Sequence, residues 1–272
     1  VDAQALAEHS VIPLVGEIRA HRFVLKNGLN LIVIEDHSSP TFAYQTWYRV
    51  GSRNEVLGKT GLAHLFEHMM FKQTKNLPDG EFDKILERNG AEGENAYTTL
   101  YHTVYIEEMP TDKFELVARL EADRINNLVV DEKAFKTETQ VVQNERRFRE
   151  ENNPSGPMYN ELFQLAFTNH PYHWPVIGYQ ADLEAMHGTD AEAFYKRFYN
   201  PTRATITIVG DITPEKALQT IQAHYGAIPG VASQDAPAPE DAAQTAPKRK
   251  ALKLNIQVEK MKVGYRVPGV AH

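Results

Sequence analysis

The sequence predicts an α+β fold, a mostly antiparallel sheet packed against several helices. Three observations carry that reading. Alternating, β-rich segments run from Ile18 to Val50 and return near residues 96–109 and 204–209. The first two strands flank Lys26-Asn27-Gly28, a hairpin signal. Between the β-rich segments, apolar residues recur at helical spacing.

Taken in order, His21–Leu25 and Leu29–Ile34 read as paired strands, and Thr41–Val50 as a third, rich in aromatics. A polar stretch, Gly51 to Glu55, leads into a helix over Thr60–Phe71 with Leu62, Leu65, Phe66, Met69 and Met70 at helical spacing. Glu81–Arg88 is a short helix stopped at Asn89-Gly90. Ala96–Met109 reads as one strand. Helices follow over Thr111–Leu128 and over Asp131–Arg149, the latter with Asp131 as N-cap and Asn152-Asn153-Pro154 at its end. Further helices are expected around Met158–Phe167 and Asp190–Phe198. Ala204–Val209 is an apolar strand, and Thr213-Pro214-Glu215 opens a last helix to about Tyr225. Pro229 to Lys250 is rich in Pro, Ala, Asp and Gln and reads as a linker. Leu252–Val267 alternates again, as a strand.

Composition narrows the function classes. The 272 residues carry 42% hydrophobic and 24% charged residues, ordinary for a globular protein. No apolar run approaches the roughly 20 residues that span a bilayer, so no membrane span is expected. A formal net charge of -7 argues against nucleic acid as a partner. With no cysteine, disulfides and thiolate metal sites are excluded, and a transition metal must be held by His, Asp or Glu. The first residue is Val1, and Val1–Ser10 has no apolar leader core. A start at Val1 rather than Met suggests a leader removed ahead of it, so a periplasmic or secreted protein is favoured, with the cytoplasm left open.

The chemistry-bearing feature is His64-Leu65-Phe66-Glu67-His68, inside an apolar helix. Positions i and i+4 share a helix face, so His64 and His68 can offer two imidazoles to one ion. Glu67 borders the same face and can reach water without displacing a ligand. Zinc suits imidazole and carboxylate ligands, and a catalytic site needs a third protein ligand and an open position. The bland alternative is a buried structural His pair, but burying these three groups without partners costs roughly several kcal/mol. An acid on another element should complete the set. Glu138 and Glu145 lie about two turns apart on one helix face, with Val141, Val142 and Phe148 near that face. Either acid could equally pair with Arg146, Arg147 or Arg149 at the surface, and spacing does not choose between them.

These residues carry a resemblance. The chain is similar to the pitrilysin-like, inverted-zincin metallopeptidases of family M16, whose members include bacterial peptidases and the mitochondrial processing peptidase β-subunit. The reversed zinc motif matches His64 to His68, preceded by Gly61-Leu62-Ala63 and followed by Met69-Met70-Phe71-Lys72. The likeness extends through Asn95-Ala96-Tyr97-Thr98, His170-Pro171-Tyr172 to Gly178, Tyr199-Asn200-Pro201, Val209-Gly210-Asp211 and the segment Gly264 to Val270. It departs at Ala91 and at Gln73, where the family often has Gly, and neither position is a ligand.

The resemblance implies a LuxS/MPP-like metallohydrolase fold with one zinc per chain, on His64, His68 and Glu145. Glu67 would be the general base toward water on the zinc, and Glu138 would support a ligand by hydrogen bonding. Asn95, Ala96, Tyr97 and Thr98 would bind substrate backbone as an added strand. The implied activity is endopeptidase cleavage of peptides or unfolded protein segments. Active members use a second, similar domain or subunit to complete the chamber, giving a homo- or heterodimer. The expected division is an N-terminal extension over 1–15, the zinc-bearing catalytic domain over 16–228, a linker over 229–250, and the first strand of a truncated second domain over 251–272.

Two other readings compete. The fold also serves non-catalytic partner or scaffold subunits of such assemblies, against which the intact Glu67 argues. A zinc hydrolase of small molecules is disfavoured by the strand-like substrate edge near Asn95. His170 and His173 read as loop packing between Pro171 and Pro175, and His102 as a strand residue near substrate or at the surface.

Overall fold

The computed structural model describes residues 6–151, 153, 155–232, 235 and 237–267. Seven strands form one sheet: β1 (Leu6–Pro13), β2 (Arg19–Leu25), β3 (Asn30–Glu35), β4 (Thr41–Tyr48), β5 (Glu92–Thr98), β6 (Thr103–Pro110) and β7 (Ala204–Gly210). Their order is β1-β2-β3-β7-β4-β6-β5. β3 and β7 pair in parallel, and the other neighbours are antiparallel, as the α+β reading expects. β7, last in the chain, thus enters the middle of the sheet.

Among the described residues, eight α-helices accompany it: α1 (Leu62–Met69), α2 (Glu81–Arg88), α3 (Phe114–Asn127), α4 (Glu132–Glu151), α5 (Ser155–Ala166), α6 (Gln180–Ala185), α7 (Gly188–Phe198) and α8 (Pro214–Tyr225). Burial alternates along the central strand β4, where Phe42, Tyr44, Thr46 and Tyr48 are buried and the residues between them are half-buried. That period of two gives the sheet one core face. Leu31, Val33, Phe42, Tyr44, Tyr105, Ile206 and Ile208 from the strands join Leu65, Phe66, Val117, Phe198 and Ile221 from the helices in one cluster.

Four elements depart from expectation. Ala96–Met109 is a hairpin, β5 and β6, because the chain reverses at Thr99–His102. Thr99 N–H donates to His102 O at 2.8 Å, and the Thr99 hydroxyl accepts from the Tyr101 and His102 N–H groups. A threonine side chain here does the work that Gly or Asn does in most turns. Part of the expected extension forms β1, which covers the outer edge of β2. Its Val11 and Ile12 are exposed, so it lacks an apolar face to announce it. α6 is too short to leave a periodic pattern. The strand expected over Leu252–Val267 is not formed among the described residues; alternation without a neighbouring strand gives the backbone nothing to pair with. The expected extension over 1–15 and the segment 251–272 each run beyond the described residues at one end.

Candidate metal centre

α1 is only eight residues long, so tertiary packing must hold it. It packs against β5, β6, α4 and α7. Leu62, Ala63, Leu65, Phe66 and Met69 bury its apolar positions, and the period of the helix brings His64, Glu67 and His68 round to the side facing α4 and β5. Its N-cap, Gly61, has φ 89°, and a Cβ there would lie 2.6 Å from the Ile177 carbonyl oxygen, so only glycine fits.

α4 supplies the acids. Glu145 Oε2 lies 3.7 Å from His64 Nε2 and 3.5 Å from His68 Nε2. One ligand atom from each of these three residues lies within 4.8 Å of the others. The second acid, Glu138, approaches from the other side: its Oε2 is 3.5 Å from His68 Nδ1. Each acid spends its remaining oxygen on a cation. Glu138 Oε1 is 2.7 Å from Lys72 Nζ, and Glu145 Oε1 pairs with Arg149. The surface pairing of Glu145 with an arginine and its approach to the imidazoles therefore coexist. Val142 is buried in this face, whereas Val141 and Phe148, expected to cover it, are exposed.

Glu67 is 9% exposed. The Thr98 hydroxyl donates to its Oε2. Burial raises the Glu67 carboxyl above its ordinary value, and the Thr98 bond pulls against that shift. Burial, then the neighbouring His68, pushes the His64 imidazole down to about 4, so it is neutral at pH 7. Burial also opposes charge on His68, but Glu138, Glu145 and Glu67 outweigh it and raise His68 to about 9. Burial acts to raise Glu138 as well, yet His68 and Lys72 hold it below its ordinary value. Glu145 is lowered by its bond to His68.

The site fits a divalent metal on chemical grounds. Two imidazole nitrogens and one carboxylate oxygen converge, the donor set zinc accepts. The buried Nδ1 of His64 has no partner, while its Nε2 faces Glu145. A carboxylate on the far nitrogen of His68 leaves Nε2 free toward the same point.

Asn95, Ala96, Tyr97 and Thr98 lie on β5, the strand at one end of the sheet. Asn95 and Tyr97 are exposed, and Ala96 and Thr98 are half-buried. Asn95 Oδ1 accepts from Ala96 N–H at 2.9 Å. Tyr97 meets Trp47 edge-on, with ring centroids 6.4 Å apart, and His102 lies tilted against Trp47 and edge-on to Tyr97. His170 and His173 are engaged in their loop: His170 accepts from Tyr172 N–H, and His173 Nδ1 lies 2.7 Å from Phe167 O. Two contacts escaped the sequence reading, Lys72 with Glu138 and Thr98 with Glu67. Lys72 lies in a bend beyond the end of α1, so no helical spacing marked its pairing with Glu138.

Residues 31–178 match the model of Insulinase (Peptidase family M16), and residues 187–272 match that of the Peptidase M16 inactive domain. The chain is 34% identical over 255 residues to Zinc protease PqqE of Helicobacter pylori, covering 91% of this chain and 56% of that one. It is 30% identical over 215 residues to Cytochrome b-c1 complex subunit 1, mitochondrial, of Rattus norvegicus, covering 78% of this chain and 44% of that one. A crystal structure of a protease from Helicobacter pylori superposes with a TM-score of 0.76 at 34% identity, over 86% of this chain and 54% of that one. The chain thus spans about half the length of the curated relatives it matches.

Proposed function

The chain belongs to the insulinase peptidases, family M16, and on that premise we propose that it is the zinc-bearing half of a metalloendopeptidase acting on peptides or unfolded protein segments. The observation that supports this most is the convergence of His64, His68 and Glu145 donors within 4.8 Å, with the Glu67 carboxylate on the helix that carries both histidines. His64, His68 and Glu145 would hold the zinc. Bound there, zinc would supply Lewis acidity toward a peptide carbonyl and water.

The chain's own groups do the rest. Glu67 takes the proton of the attacking water and returns it to the leaving nitrogen. Its burial makes the carboxylate a stronger base, and the Thr98 hydroxyl fixes one of its oxygens. Glu138 orients His68 through Nδ1. β5 offers a strand edge to which an extended peptide adds, with Asn95 to Thr98 along it and Tyr97 exposed beside it. The same proposal takes residues 16–228 as the domain that holds the site, 229–250 as a linker and 251–272 as the start of a second domain. That domain, or a second subunit, closes the chamber in a homo- or heterodimer. No helix among the described residues is long and apolar enough to cross a membrane.

Chelation tests the proposal. A chelator should abolish peptide cleavage by the full-length protein with its partner half, and zinc at one equivalent per chain should restore it. Cleavage indifferent to chelation would sink the reading. The likeness to a subunit of the b-c1 complex keeps a second reading, a non-catalytic partner subunit. Zinc binding without cleavage would favour it.

A further inference from the structure

α1 carries its donors on two turns of helix, yet its Gly61 N-cap has no side chain with which to cap them. The first-turn N–H groups go instead to a residue upstream. Glu55 Oε2 accepts from Gly61 N–H at 2.9 Å, and Oε1 accepts from Ala63 N–H at 2.7 Å. Glu55 is 6% exposed. Burial pushes its carboxyl up to about 8, while the two N–H donors pull it down. The two Glu55 oxygens lie at the positive end of the α1 dipole, where an acceptor is favoured.

The turn before α1 is held as tightly. Asp182 Oδ2, on α6, accepts from Gly58 N–H at 3.1 Å, Thr60 N–H at 3.0 Å and the Thr60 hydroxyl at 2.7 Å. The Thr60 hydroxyl oxygen accepts from Tyr179 N–H at 2.9 Å. Gly178 has φ 80°, and a Cβ there would lie 2.3 Å from the Thr60 carbonyl oxygen. The Gly178 carbonyl in turn accepts from Arg146 Nε at 3.2 Å, and Arg146 follows Glu145 on α4. The start of α1 is therefore clamped between Glu55 and the Gly178 turn, and that turn is tied to the helix bearing the third donor.

Metal coordination tolerates distance errors of about 0.2 Å. A side-chain atom about 6 Å from a helix axis moves about 1 Å for each 10° of rotation. A few degrees of rotation in α1 would thus take His64 and His68 out of range. We propose that Glu55 is a positioning residue of the metal centre: by bonding Gly61 and Ala63 N–H it fixes the rotation of α1, so that both Nε2 atoms face Glu145. This inference rests on the metal-site reading above.

The test uses the full-length protein with Glu55→Ala and Glu55→Gln, and Glu145→Gln as control. Zinc affinity is measured by chelator competition at a temperature where circular dichroism shows each variant folded, and the visible spectrum is recorded after cobalt replacement. Glu55→Ala should weaken zinc at least 10-fold and shift the cobalt bands. Glu55→Gln, which keeps the shape and one acceptor, should lose at least 3-fold but less than Glu55→Ala, and it carries the test where Glu55→Ala does not fold. kcat should fall with KM little changed. Unchanged zinc affinity and cobalt bands in folded variants would overturn the proposal, leaving Glu55 a purely structural cap. If the wild type binds zinc no better than Glu145→Gln, the metal-site reading itself fails.

Discussion

His68 Nδ1 and Glu138 Oε2 lie 3.5 Å apart, and the second oxygen of Glu138 is 2.7 Å from Lys72 Nζ. The lysine, the acid and the imidazole form a line that ends at the point where His64, His68 and Glu145 converge. A carboxylate held on one side by a cation is fixed on the other.

Removing members of that line should weaken the metal in order. Glu138→Gln is expected to reduce zinc affinity roughly 10- to 100-fold, the usual cost of losing a ligand's supporting partner. Lys72→Met should cost less, since Glu138 stays in place, and Glu145→Gln should cost the most. Chelator competition reads all three. A larger loss at Glu138→Gln than at Glu145→Gln would exchange the two assignments.

A second polar cluster is buried in the core. Arg124 is fully buried between Glu107, at 2.8 Å, and Glu121. The Thr46 hydroxyl donates to Glu121 at 2.8 Å, and the guanidinium lies over the Tyr105 and Phe82 rings at 4.4 and 4.5 Å. Arg124→Met leaves two buried acids without their cation and should destabilise the fold by about 3–5 kcal/mol. Denaturant unfolding measures it. Replacing Glu107 and Glu121 by Leu together with Arg124→Met should recover most of that loss. A single substitution costing under about 1 kcal/mol would contradict that dependence on the cation.

Glu94 on β5 gives a pH signature. Burial, then nearby Asp83, pushes its carboxyl up to about 7. The folded state then binds the proton more tightly than the unfolded chain, whose Glu titrates near about 4.3. The stability this contributes is fully present below pH ~4.3 and is lost as pH rises through ~7. Glu94→Gln stays neutral throughout. Its unfolding midpoint should match the wild type near pH 4 and exceed it at pH 8. A difference that does not grow with pH would contradict the shift.

Much of this architecture was legible in the residues. The period of α1 places His64 and His68 together, and the two-turn spacing places Glu138 and Glu145 on one face. What spacing could not supply is the choice between the acids, because both lie on one face of a helix that also carries Arg146, Arg147 and Arg149, and either could be a surface pair. The resemblance favoured Glu145, and the geometry puts Glu145 nearest both Nε2 atoms while Glu138 faces Nδ1. Glu55 was unreadable for a different reason: its partners are backbone N–H groups, which leave no trace in side-chain pattern. The β5–β6 reversal was missed because Thr99 makes the turn without Gly, Asn or Pro.

Glu67→Gln in the full-length protein with its partner half bears most directly on the chemistry. Bound zinc per chain and peptide cleavage are measured on the same sample. The expected result is one zinc retained and cleavage reduced by at least about 10²-fold, the lower range for loss of a general base. Undiminished cleavage would contradict the role given to Glu67.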